Sequence, residues 1–98
     1  MPPQRSRQTI FLEFSFKQDE RDDVLRYCSL EGDIERRFRK IVAVGSDIIV
    51  VFDKPEANQM MNSLSQAALA VSEDNDLKRK FDDLHDRFEA KYNDVFYR

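Results

Sequence analysis

The chain has 98 residues, of which 41% are hydrophobic and 36% are charged, and its formal net charge is −3. This length supports one domain with a modest core, and the composition excludes an intrinsically disordered chain. The small net charge gives no indication of affinity for nucleic acid, and no apolar run approaches the roughly 20 residues that a membrane span requires.

The N-terminal sequence MPPQRSRQ predicts a short flexible arm over residues 1–8, followed by a single α+β domain over residues 9–98. The arm lacks the apolar core of a secretory signal. The single cysteine, Cys28, excludes an internal disulfide. Both features favour a reducing intracellular compartment, the cytoplasm.

Residues Thr9 to Phe16 alternate with a period of two, which predicts a half-buried β-strand. The apolar face comprises Ile10, Leu12, Phe14 and Phe16. On the opposite face, Phe11 is the only large apolar side chain. The strand therefore has one face suited to a core and an aromatic residue on the other.

A helix is predicted next, because acidic residues at Asp19 and Glu20 suit a helix N-terminus and apolar residues then recur at helical spacing. Gly32 is placed to end it. An alternative is a short helix beyond Gly32, since Ile34 and Phe38 are four residues apart.

The segment from Arg36 to Asp53 predicts a β-hairpin that turns at Gly45-Ser46. Its second strand, Ile48 to Phe52, is apolar at five consecutive positions. Apolar side chains on both faces are typical of a central strand covered on both sides. The hairpin and the first strand together predict a three-stranded antiparallel sheet.

Two helices are predicted to complete the domain. Asp53 is a good N-cap, with Pro55 in the first turn and Glu56 placed for a capping box. After a break at Ser72–Asn75, apolar residues recur at spacings of three and four to the end of the chain, which predicts a long amphipathic helix. The expected fold is α+β with the order β-α-β-β-α-α and the helices packed on the sheet.

The aromatic stripe of the last helix is the feature that most favours a function. Such residues are too large to leave in water, so the helix either covers its own sheet or docks on another chain. We therefore expect a non-catalytic protein–protein interaction protein, acting as a homodimer or as a small subunit of a larger assembly. The expected anchors are Phe11, Phe81, Phe88, Tyr92 and Phe96. Full burial of these residues within one chain would contradict that role.

The alternative function is binding of nucleic acid or phosphate by the basic cluster, defined as Arg36, Arg37, Arg39 and Lys40, with Phe38 available for stacking. In a strand, alternation would send Arg36 and Lys40 to one face and the other two arginines to the opposite face. The structural explanation of the same cluster is a sheet edge protected by cations.

Catalytic and metal-binding functions have weak support. His85 is the only histidine, with Asp82 and Glu89 nearby in sequence, and a small hydrolase built on it is a remote alternative. Cys28 lies on an apolar helix stripe, which is typical of an inert thiol. The chain matches no family motif, and we predict no enzyme activity, cofactor, metal or membrane partner.

Overall fold

The computed structural model describes residues 10–40 and 47–97, so the predicted N-terminal arm lies outside the described residues. Along the chain the elements are β1 (Leu12–Lys17), α1 (Gln18–Tyr27), α2 (Gly32–Lys40), β2 (Asp47–Phe52), α3 (Lys54–Ala70) and α4 (Asn75–Phe96). The fold is α+β, as predicted, but its order is β-α-α-β-α-α.

The sheet consists of β1 and β2, paired antiparallel from Leu12 opposite Phe52 to Lys17 opposite Asp47. Its inner face joins two alternating sets of buried residues, Leu12, Phe14 and Phe16 from β1 with Ile48, Val50 and Phe52 from β2. The period-two prediction for the first strand is therefore confirmed at three positions. Ile10 precedes the strand and is 57% exposed.

The predicted three-stranded sheet is wrong for the described residues, since only two strands form there. The segment predicted as the first hairpin strand instead contributes residues 36–40 to α2, and the Gly45-Ser46 turn lies outside the described residues. Burial explains the helix. Ile34 and Phe38 lie one helical turn apart and are 2% and 0% exposed. The ring of Phe38 packs 5.1 Å from that of Phe16, so helical spacing buries both residues on the sheet.

Gly32 begins α2 and does not end α1, which stops at Tyr27. The alternative of a short helix beyond Gly32 is therefore confirmed. The two helices are tied together where the Arg21 Nη1 donates to the carbonyl of Phe38 at 3.0 Å. This bond satisfies one of the carbonyls that a helix C-terminus leaves without an intrahelical partner.

The prediction that the second strand is central and covered on both faces is also wrong for the described residues. The outward side chains of Ile49 and Val51 are 54% and 39% exposed. Of the five consecutive apolar residues in β2, only the alternate ones are therefore buried. A two-stranded sheet with helices on one side requires this pattern, because successive side chains point to opposite faces.

The helices α3 and α4 form the layer that covers the inner face. The predicted N-cap is confirmed, because the Asp53 carboxylate accepts from the Glu56 amide at 2.8 Å while Glu56 accepts from the Asp53 amide at 2.9 Å. The Phe88 ring of α4 lies 5.0 Å from Phe14 and 5.3 Å from Phe52. The last helix therefore covers its own sheet. No helix in the described part of the chain combines the length and apolarity needed to cross a membrane.

Ion pairs fasten α1 to α4 at the margin of this core. The Lys80 ammonium donates to Asp19 at 2.8 Å and to Asp23 at 2.6 Å, and Arg87 donates to Glu20 at 2.6 Å. Both carboxylates raise the pKa of Lys80, because they stabilise its charged form. The first and last helices are thus held together by charge as well as by packing.

Candidate functional site

The outer sheet face carries exposed apolar side chains on a regular element. We define it as Phe11, Glu13, Ser15 and Lys17 from the β1 side with Asp47, Ile49 and Val51 from β2. Glu13 lies opposite Val51 and Ser15 lies opposite Ile49, so the aliphatic residues are neighbours along β2. The Phe11 side chain, 55% exposed, extends the apolar surface at one end.

This arrangement can bind a partner by burying its apolar side chains. Single exposed apolar residues are normal on a protein surface, whereas a contiguous group on a regular element indicates a contact surface. Glu13, Ser15 and Lys17 add a hydrogen-bonding rim along β1, and all three are exposed. The face therefore combines an apolar centre with a polar margin, as protein interfaces do.

One side-chain cluster lies at the Val51 end of the free edge of β2. Arg37 donates from Nη1 to the Val51 carbonyl at 3.0 Å and forms a bidentate pair with Glu56 at 2.7 and 2.6 Å. Glu56 in turn accepts from the Asp53 amide at 2.9 Å. The guanidinium lowers the pKa of Glu56, and the carboxylate raises the pKa of Arg37. Arg37 is thus a structural residue of the sheet edge.

The aromatic anchors expected on the last helix are mostly part of this chain's own core. Phe81 and Phe88 are 0% exposed and Tyr92 is 5% exposed. Phe96 is partly buried, and its ring lies 5.0 Å from that of Tyr92. The first three side chains are not available to a partner in this folded state, whereas Phe11 is. Partner contact by Phe11 and Phe96 stays a prediction.

Ile49 and Val51 are exposed strand residues that the sequence analysis did not single out as contact residues. The signal was present in the run Ile48–Phe52, which is apolar at every position. That run predicts a strand covered on both faces. An apolar outer face on a two-stranded sheet gives the same pattern.

The basic cluster lies on a helix, so the expected split between its members is wrong. Helical spacing places Arg36, Arg37 and Lys40 around one cavity of 240 Å³, together with Asp33. Arg36 pairs with Asp33 at 3.1 Å, and Arg39 pairs with Glu35 at 2.9 Å away from the cavity. Three of the four cations are therefore matched by carboxylates, including Arg37 with Glu56.

The His85 region is the best candidate for a metal centre among the described residues. The ligand atoms of His85, Asp86 and Glu89 lie within 4.8 Å of one another, and His85 Nδ1 is 3.6 Å from Asp86 Oδ1. Both carboxylates are exposed. One imidazole with two solvated acids provides a weak ligand set, because structural metal sites use several nitrogen or sulfur ligands in fixed positions.

Cys28 has the surroundings of an inert thiol. Its Sγ donates to the Ser63 carbonyl at 3.7 Å, and burial raises its pKa to about 12. Beside it, a cavity of 190 Å³ is lined by hydroxyl and amide side chains that include Ser63, Gln59 and Gln66. This is smaller than the roughly 300–1,000 Å³ of a typical ligand pocket.

No protein-family model, curated protein or solved structure matches the chain.

Proposed function

We propose that this chain is a non-catalytic, intracellular protein–protein interaction protein that acts as a homodimer or as a small subunit of a larger assembly. The contact surface is the outer sheet face together with the adjacent free edge of β1. The observation that carries the proposal is the exposure of Ile49 and Val51 at 54% and 39% on a regular strand, next to Phe11 at 55%.

The physical reason is the free energy of burial. Removing apolar surface from water contributes roughly 25 cal/mol per Å², and aromatic and branched aliphatic side chains supply most of it at interfaces. The helices already cover the inner face, so only the outer face offers comparable apolar surface on the sheet. Assembly of the sheet with a partner would bury it.

The experiment compares tagged chains expressed together with an untagged copy. Wild type is expected to retain a protein partner, either the untagged copy or another protein, and Ile49→Glu with Val51→Glu is expected to lose any partner that packs on the outer sheet face. Leu69→Glu is the matched control, because Leu69 is 71% exposed on α3 and lies outside the outer sheet face. The proposal is refuted if wild type retains nothing, or if the control loses the partner equally.

The second candidate is nucleic-acid or phosphate binding through the basic cluster, favoured by the convergence of Arg36, Arg37 and Lys40 on one cavity. It predicts an affinity for a single-stranded RNA oligonucleotide that falls steeply with salt. Replacing all four cations with serine would abolish that affinity. Fluorescence anisotropy at two salt concentrations separates the candidates, since an apolar interface tolerates moderate salt.

A further inference from the structure

The two edges of the sheet differ in how their backbone groups are satisfied. In an antiparallel pair, alternate residues direct both their N–H and their C=O away from the partner strand. The Val51 carbonyl and the Asp53 amide of β2 both bind side chains outside the sheet, at 3.0 and 2.9 Å. The odd-numbered residues of β2 therefore face its outer edge.

The pairing register shows which residues of β1 direct their backbone groups away from β2. Glu13 pairs with Val51 and Ser15 pairs with Ile49, so the backbone groups of Glu13 and Ser15 face the opposite edge of the sheet. The Lys17 amide follows the same rule and donates to the Glu20 carboxylate at 2.9 Å. Lys17 is also the N-cap residue of α1, a position whose carbonyl ordinarily accepts the first helical hydrogen bond.

Four backbone groups remain on the edge of β1, the N–H and C=O of Glu13 and of Ser15. None of them has a hydrogen-bond partner among residues 10–40 and 47–97, and both residues are exposed. Unpaired strand edges of this kind are templates for another strand. On the edge of β2, by contrast, Arg37 binds the Val51 carbonyl and Glu56 binds the Asp53 amide.

We propose that the strand that completes this edge is β1 of a second copy of the same chain, antiparallel, with Glu13 opposite Ser15 of the second copy. This inference rests on the proposed function and names its partner. In that register the N–H and C=O of each residue meet those of the other, so all four free groups of both copies are paired. The result is a four-stranded sheet with the order β2-β1-β1-β2.

The side chains favour this register over the two symmetric registers that a shift in either direction along the strand would give. Glu13 faces the hydroxyl of Ser15, which donates to a carboxylate, and Phe11 faces the ammonium of Lys17, a cation–π pairing. A shift in one direction places Glu13 opposite Glu13 of the second copy, where like charges repel. A shift in the other direction pairs Glu13 with Lys17, whose amide already donates to Glu20 of α1.

The first test is sedimentation equilibrium of the purified chain between about 10 μM and about 1 mM, because interfaces below about 1,200 Å² are weak. The mass is expected to rise from 11.6 kDa toward twice that value. Ser15→Pro should abolish the rise, since it removes an N–H that makes no bond within the described chain and proline is tolerated at such edges. Ser15→Thr, which keeps the N–H, should dimerise as wild type does.

A second test fixes the register even if the proline variant folds poorly. In a Cys28→Ser background, Glu13→Cys and Ser15→Cys chains are mixed and oxidised. Opposed residues have Cα atoms about 5.5 Å apart, within disulfide reach. A mixed disulfide that forms faster than either homodisulfide supports the proposal. Faster linkage of either variant to itself overturns it.

Failure of the proposed pairing with a second copy can be told apart from failure of the proposed function. If the purified chain stays monomeric throughout while the tagged chain retains a different protein through Ile49 and Val51, the second copy is refuted and the interaction function stands. If the tagged chain retains no protein and the purified chain is monomeric, both are refuted.

Discussion

Replacing Phe88 with alanine distinguishes a core residue from an interface anchor. The ring is 0% exposed and lies between Phe14 and Phe52, at 5.0 and 5.3 Å. Truncating such a ring costs about 3–5 kcal/mol, from the lost transfer free energy and the cavity that remains. Against a typical free energy of unfolding of about 5–15 kcal/mol, this loss removes between about a fifth and all of the stability.

Urea unfolding followed by far-UV circular dichroism at low protein concentration measures this loss. In a domain of about 100 residues each kcal/mol shifts the Tm by about 4–8 °C, so the Tm should fall by about 12 °C or more. Glu89→Ala, an exposed neighbour on the same helix, is the control and should change stability by less than about 0.5 kcal/mol. A loss below about 1 kcal/mol in Phe88→Ala, together with loss of a dimer, would refute core packing in cis.

Three further outcomes follow from local contacts. Asp53→Ala removes the N-cap of α3 and should lower the free energy of unfolding by about 1 kcal/mol in the same urea assay; an unchanged midpoint would contradict the cap. Arg37 lowers the pKa of Glu56 from its ordinary value of 4.5, so the pair's contribution is fully present above that pH and is lost as the pH falls through the lower folded value. Glu56→Gln should therefore make the decline of stability below pH 4.5 shallower when urea midpoints are compared across pH; an equally steep decline would argue against the pair. Burial raises the pKa of Cys28 from 9.0 to about 12, which lowers its thiolate fraction about 1,000-fold near pH 8. A disulfide reagent should therefore react far more slowly with Cys28 in the native state than in urea. Equal reaction rates would contradict burial of the thiol.

The parts of the fold that sequence predicts well are those where one local pattern has one physical solution. Asp53 with Glu56 three residues later is a capping box, and the structure forms it. Alternation at Leu12, Phe14 and Phe16 has only one amphipathic interpretation, and these residues are buried. The stripe of α4 is equally unambiguous.

The wrong predictions concern segments whose local pattern fits two structures, so that tertiary contacts select between them. The segment from Ile34 to Lys40 has a buried pair at helical spacing followed by cations that suit either structure. Packing of Phe38 against Phe16 selects the helix, and that contact joins residues distant in sequence. Similarly, no local signal shows whether the outward side chains of Ile49 and Val51 are buried. Their burial depends on whether other elements of the chain pack on both faces of the sheet or on only one.

The position of the core aromatics along the chain has a consequence for biosynthesis. The inner face of β1 and β2 is closed by Phe88 of α4, which is translated well after Phe52. At about 5–20 residues per second, the growing chain carries an inner sheet face that lacks Phe88 for about 2 to 7 s. During that interval Phe14 and Phe52 lack the ring that packs against both of them in the finished fold.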